Sequence, residues 1–339
     1  MYLNLYKSLF ITPMLSLSTL ISISSNSWFF NWMSLEINLL SFITLISIYN
    51  KSLNLMKYFL IQSFSSTIFL FFSLNMIILT KSSSNLLLAS SYLMTLSLLI
   101  KLGIYPFHSW FISLMNNLNW INCMIISTWQ KIIPLYLLNQ LLSNPSLNYF
   151  IMLITLSNST LSTIMTFNQT SLRSIMSLSS LNHLSWMLIS MLNNKMIWMI
   201  YFINYSLISI NLMLMFNKLN IFHINEFLFS NHLNKYYIIL MLFSILSLGG
   251  MPPFFGFFNK WMVVEFNFYN LNFNFFFIIL INSVMFLYFY IRTIFMLVLT
   301  FNYSFKYNLI MNPINFKNSL LIYMNLTFIF LFNIYFMPL

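Results

Sequence analysis

Two short stretches decide how this chain is read: Lys101-Leu102-Gly103-Ile104-Tyr105-Pro106-Phe107-His108 and Leu248-Gly249-Gly250-Met251-Pro252-Pro253-Phe254-Phe255-Gly256. All four glycines and three of the eight prolines of the chain lie in them, and both contain Leu-Gly-x-x-Pro. Each interrupts a long apolar run. Proline inside a helix removes a backbone hydrogen bond that lipid cannot replace, so such breaks persist only where protein or a watery cavity satisfies the freed groups.

The surroundings are membrane-like. Of 339 residues, 60% are hydrophobic and 5% charged. A soluble domain carries about 25% charged residues to cover its surface, so a soluble enzyme is excluded. A disordered chain is excluded by the wealth of Phe and Ile. Runs such as 61–79, 236–248 and 275–299 are continuously apolar. A transmembrane barrel would alternate apolar and polar residues in segments of about 10, so the expected class is an all-α polytopic membrane protein.

Helical spans of roughly 20 residues fall at 3–24, 27–48, 56–79, 86–115, 119–142, 147–166, 172–192, 196–216, 236–266, 272–299 and 319–337, about eleven in all. An odd count sorts the loop cations into two sets. Lys7, Lys51, Lys57, Arg173, Lys218, Lys235, Lys306 and Lys317 share the side of the N-terminus, against Lys81 and Lys195 opposite. By the positive-inside rule the N-terminus is expected on the inner face, which is the matrix and leaves the C-terminus in the intermembrane space if the membrane is mitochondrial. The broken spans are fourth and ninth. Five is odd, so two five-helix repeats would be inverted, the arrangement of many transporters. This predicts one membrane domain over 1–339, with a first repeat at 1–142, a second at 143–299, and a loop plus final helix at 300–339.

Five charges stand inside spans rather than at their ends: Glu36, Lys101, Lys131, Lys260 and Glu265. Each costs about 2.5–3.5 kcal/mol at a helix centre, and such residues usually mark ion paths or proton relays. Structural ion pairing is the alternative. At an effective dielectric of ~20, a carboxylate ~4 Å from a lysine attracts it by about 4 kcal/mol. Bringing Glu36 to Lys101, or removing it, would therefore switch whether Lys101 holds its proton, and Lys131 and Lys260 would pass protons onward through water. His108 at the first break and His183 in Ser180-Leu181-Asn182-His183-Leu184 titrate near neutrality. They are further relay candidates, against the alternative of ordinary hydrogen-bonded histidines. His223, His232 and Glu226 lie in the longest polar loop and read as solvated. No metal site, P-loop, dinucleotide fingerprint or nucleophile elbow is present. Cys123 is the one cysteine, which excludes a disulfide framework within this chain.

The +11 charge is scattered singly, without the basic cluster that nucleic acid requires. Residues with G-initial codons are scarce, with no Asp, one Ala, three Glu, four Gly and four Val. That bias points to an AT-rich organelle genome. The N-terminal stretch lacks the character of an import presequence, in keeping with synthesis inside the organelle.

On these residues the chain resembles the subunit 2 family of mitochondrial NADH dehydrogenase, the antiporter-like membrane subunits of respiratory complex I. The resemblance rests on Leu35-Glu36-Ile37-Asn38-Leu39, Lys57-Tyr58-Phe59-Leu60, the first break, Thr128-Trp129-Gln130-Lys131-Ile132-Ile133-Pro134, Asn168-Gln169-Thr170-Ser171-Leu172-Arg173, Ser180-Leu181-Asn182-His183, the second break, Lys260-Trp261 and Tyr288-Phe289-Tyr290-Ile291-Arg292, in order along most of the chain. Length and composition resemble insect members.

The resemblance implies proton translocation coupled to electron transfer from NADH to ubiquinone in other subunits. It implies a Glu36–Lys101 pair, with Lys131 on the central axis and Lys260 beside the second break. NADH, FMN, iron–sulfur clusters and ubiquinone would be used elsewhere in the complex, and none bound by this chain. Expected partners are other membrane-arm and accessory subunits and the bilayer, cardiolipin included, with no nucleic acid. Many relatives carry a Glu-Glu pair where this chain has Glu265-Phe266. A stand-alone cation/proton antiporter and a structural scaffold are the competing readings; the lack of any Asp argues against the former.

Overall fold

A computed structural model describes residues 2–49, 54–79, 84–142, 146–193, 196–229, 235–252, 254–267 and 273–304. The described chain is helical. In order the helices are α1 (Tyr2–Ser24), α2 (Trp28–Tyr49), α3 (Asn54–Leu79), α4 (Ser84–Leu102), α5 (Ser109–Asn117), α6 (Trp120–Ser127), α7 (Ile132–Leu141), α8 (Ser146–Thr166), α9 (Leu172–Asn193), α10 (Ile197–Leu219), α11 (Glu226–Phe229), α12 (Lys235–Gly249), α13 (Phe255–Asn267) and α14 (Phe273–Ser304). Six stretches among the described residues are long and apolar enough to cross a membrane: Trp28–Ser47, Leu55–Ile78, Trp120–Leu141, Leu172–Leu192, Ile197–Leu219 and Phe275–Leu299. The expected eleventh span, 319–337, lies outside the described residues.

Helices form here because every backbone group must be bonded internally in lipid. The many serines are accommodated the same way. Their hydroxyls donate to the carbonyl three residues back, as in Ser65 to Gln62 (2.7 Å), Ser97 to Met94 (2.6 Å) and Ser180 to Ser177 (2.7 Å). A hydroxyl that would be costly in hydrocarbon is thereby satisfied within its own helix.

The chain folds into two compact units. The first comprises Met1–Leu118 and Ile125–Ile154. In it α1, α2, α3 and α4 pack as successive neighbours, α5 lies on α3, and α7 lies on α4 and α1. The second comprises Asn119–Met124 and Thr155–Leu339. Its central helix is α9, buried on nearly all sides. Helix α10 packs on α9, α12 and α13, while α12 packs on α14. Trp120 of α6 belongs to this unit: its indole Nε1 donates to Ile221 O at 3.1 Å and its ring centroid lies 5.0 Å from that of Phe216.

Both expected breaks are present, splitting α4 from α5 and α12 from α13. Each first half ends in the same manner. Gly103 has φ +68° and Gly250 φ +76°. Ile104 N–H reaches back to Leu99 O (3.1 Å) and Gly103 N–H to Ile100 O (3.1 Å). Likewise Met251 N–H reaches Leu246 O (3.3 Å) and Gly250 N–H reaches Ser247 O (3.2 Å). This is the glycine C-cap that satisfies the last helix carbonyls through one left-handed residue. The structure therefore matches Gly103 with Gly250, one residue away from the Leu-Gly alignment of the sequence.

A third interruption was not expected. The span 119–142 is divided by a 3-10 turn at Trp129–Lys131. Pro134 explains it, since its ring has no N–H and would collide with the carbonyl of Gln130 in a continuous helix. The polar segment after α10 is also more ordered than a solvated loop. Ser171 and His223 form an isolated antiparallel bridge, and Phe222 N–H donates to Glu226 Oε2 at 2.6 Å. His223 is exposed and His232 lies outside the described residues.

Candidate functional site: buried lysines beside broken helices

In the first unit the expected residues come together across α2, α3, α4 and α7. Lys101, in the last turn of α4, is 7% exposed. Its Nζ donates to Gln62 O at 3.5 Å, and Gln62 Nε2 donates to Lys101 O at 3.1 Å. One turn further along α3, Ser66 Oγ donates to Glu36 Oε1. Gln62 and Ser66, four apart, share one helix face, so α3 holds both members of the expected pair. The half-buried Glu36 carboxylate lies within electrostatic reach of the Lys101 ammonium.

Lys131 is 2% exposed and ends the 3-10 turn at the N-cap position of α7. Its Nζ stands 5.1 Å from the centre of the Phe111 ring, where the ring face attracts a cation. The residue before it is paired twice with α2: Asn38 Nδ2 donates to Gln130 Oε1 at 2.9 Å and Gln130 Nε2 donates to Asn38 Oδ1 at 3.2 Å. Lys101, Lys131, Gln62, Gln130, Asn38 and Tyr58 line one cavity of about 20 Å³. That is room for a water molecule, and the polar lining gives it partners.

The second unit holds Lys260 and His183. Lys260, 9% exposed on α13, donates from Nζ to Gly249 O at 2.8 Å. Gly249 ends α12, so the ammonium sits on a helix C-terminus, where freed carbonyls and the macrodipole favour a cation by up to about 2 kcal/mol. Lys101 occupies the last turn of α4 and gains from the same effect. The φ of +76° calls for glycine at position 250, and a Cβ there would lie 2.9 Å from Lys260 Nζ, so any side chain would displace the ammonium. A Cβ on Gly256 would fall 1.6 Å from Ser247 O, which places the two half-helices backbone against backbone. Beside Lys260, Asn259 Oδ1 accepts from Asn204 Nδ2 at 2.6 Å. His183 is buried, with Nδ1 2.9 Å from Tyr201 Oη and its ring 5.0 Å from that of Tyr205.

His108 precedes α5, half-buried and stacked on Tyr105 at 5.8 Å, and does not line the cavity. Glu265 is exposed in the last turn of α13, unlike the three lysines. The partners Asn38, Gln62, Ser66, Gln130, Tyr201 and Asn204 were not anticipated. Their only signal in the sequence is a polar side chain within an apolar span, and serine and asparagine are too frequent here for that to discriminate. No group of three or more His, Cys, Asp or Glu side chains able to hold a metal occurs among the described residues.

The model of the NADH:quinone oxidoreductase/Mrp antiporter transmembrane family matches residues 25–286. NADH-ubiquinone oxidoreductase chain 2 of Anopheles gambiae is 40% identical over 318 residues, covering 90% of each chain. That of Aedes aegypti is 40% identical, covering 93% of this chain and 92% of the relative. Among solved structures, a chain of respiratory complex I from Thermus thermophilus superposes with TM-score 0.80 at 16% identity, covering 95% of this chain and 77% of the other. A chain of the Mrp complex from Dietzia does so with TM-score 0.73 at 14% identity, covering 84% and 59%. A polytopic helical fold, helices broken at glycine, buried lysines at the breaks and these matches agree: the chain belongs to the NADH-ubiquinone oxidoreductase chain 2 family, antiporter-like membrane subunits of the NADH:quinone oxidoreductase/Mrp antiporter group.

Proposed function

We propose that this chain is a proton-translocating subunit in the membrane arm of respiratory complex I, working in the mitochondrial inner membrane. Protons move through Glu36, Lys101, Lys131 and Lys260, with His108 and His183 as further stations. The driving electron transfer from NADH to ubiquinone takes place in other subunits, which hold the redox groups. Neighbouring membrane-arm subunits and lipid, cardiolipin included, are its partners.

The observation that carries this reading is the burial of three ammonium groups beside helix interruptions, two of them lining a cavity with room for water. A buried cation is retained at a cost of several kcal/mol. A scaffold would serve as well with apolar residues in those places. The paired hydrogen bonds of α3 give the switch a mechanical route: a shift of α3 against α2 or α4 changes the distance between Glu36 and Lys101. Moving the carboxylate away favours proton release from Lys101, and the cavity water then links it to Lys131. The like glycine caps of α4 and α12 support inverted repeats over 1–142 and 143–299, with 300–339 carrying an eleventh span. With an odd count the termini fall on opposite faces, and the eight-to-two bias of the loop cations supports the N-terminus in the matrix and the C-terminus in the intermembrane space.

Lys131→Met in the assembled complex tests the reading. The long apolar side chain keeps the volume and removes the titrating group. NADH-driven proton pumping per electron is expected to fall while assembly is retained. An unchanged ratio would favour the scaffold.

A further inference from the structure

Resting on that reading, we infer that Gln130, held by Asn38, is the positioning residue that aims Lys131 into the cavity it shares with Lys101. Pro134 forbids a continuous helix here, but it does not decide where the interrupted segment points. That is decided by the side chains of the 3-10 turn Trp129–Lys131. Successive side chains leave a 3-10 turn about 120° apart. Its residues accordingly meet three different helices. Trp129 Nε1 donates to Leu15 O of α1 at 3.4 Å, Gln130 pairs with Asn38 of α2, and Lys131 Nζ stands over the Phe111 ring of α5. With the first two directions taken, the third is left to the ammonium.

The Gln130 contact is the stronger constraint. A single hydrogen bond leaves an amide free to turn about it, whereas the reciprocal bonds to Asn38, at 2.9 and 3.2 Å, fix the two amide planes together. Asn38 is 3% exposed, and bonds made at that depth are firmer than in water. Simple adhesion between helices would account for an amide pair anywhere along α2. This pair instead lies in the wall of the cavity that holds both lysines, with Gln130 immediately before Lys131 and Asn38 two residues after Glu36. It therefore ties the helix that carries the carboxylate to the turn that carries the ammonium. The second unit shows a like juxtaposition: Asn259, immediately before Lys260, accepts from Asn204 Nδ2 at 2.6 Å.

Two double variants separate positioning from adhesion. Asn38→Leu with Gln130→Met removes both amides at once, so neither is left buried and unpaired, and apolar side chains of similar size keep the helices packed. Asn38→Gln with Gln130→Asn exchanges the amides and preserves the combined reach of the pair. Gln130→Met alone, in which Asn38 still faces the cavity, is a milder version of the first.

The experiment uses the assembled complex in inner-membrane vesicles, with protons pumped per electron as the readout and Lys131→Met as the reference. A ratio per electron counts only complexes that have assembled and turn over, so reduced assembly of a variant does not obscure it. Positioning predicts that the apolar double variant and Gln130→Met lower the ratio as far as Lys131→Met does, and that the exchanged pair restores it. If Lys131→Met lowers the ratio and the apolar variants pump normally, or the exchanged pair pumps no better than they do, the positioning role is wrong and the proposed function stands. If Lys131→Met itself pumps normally, the proposed function is wrong and the positioning role falls with it.

Discussion

Lys260 and Gly250 explain one another. The ammonium lies on the Gly249 carbonyl at 2.8 Å, directly over a residue that has φ +76° and no side chain. Gly250→Ala is therefore expected to impose the left-handed penalty of about 1–2 kcal/mol and to push the ammonium off its carbonyl. Gly249→Ala is expected to be milder, because that position has no positive φ and its Cβ would meet only the edge of Tyr290. Heating the assembled complex and measuring what survives separates the two. Equal loss in both variants would contradict the account. At this scale the lysines were legible in the sequence, because a charge in an apolar span stands out against its surroundings. The polar residues around them were not. Gln62, which bonds Lys101, Ser66, which bonds Glu36, and Gln130, which pairs with Asn38, are ordinary polar residues until α2, α3, α4 and α7 are packed together.

The interruptions belong to the element scale. The glycine breaks were readable because glycine is confined to those two stretches, although the structural match runs from Gly103 to Gly250. The 3-10 turn that ends at Lys131 was missed, since a lone proline in a long apolar run also fits a simple kink. It is the turn that sets Lys131 at the start of α7, facing the cavity. Pro134→Ala would return a hydrogen-bond partner to Gln130 O and remove a penalty of about 3 kcal/mol against a continuous helix. Since 1.4 kcal/mol corresponds to a factor of ten, the continuous form gains by about two orders of magnitude. The complex is expected to assemble and to pump fewer protons per electron. Normal pumping would mean that the interruption is dispensable.

At the scale of the molecule, orientation is the open consequence of the charge distribution. Cys123, buried at 0% exposure, is the one cysteine of the chain. Cys123→Ala thus provides a background for introduced probes. With Ser52→Cys on the N-terminal side and Ser82→Cys on the other, a membrane-impermeant thiol reagent added to intact mitoplasts should label the second and spare the first. The reverse pattern would overturn the eight-to-two reading of the loop cations.

The sequence by itself determined the solvent, the helical class, the two glycine breaks and the charges at issue. These follow from transfer free energies that each residue carries wherever it sits. Only the tertiary structure decided which carbonyl or ring meets each lysine, that Lys101 and Lys131 share a water-sized cavity, and that Tyr201 reaches His183. Those relations depend on the rotation and packing of helices far apart in the chain. Apolar periodicity does not encode them when helices are hydrophobic on every side.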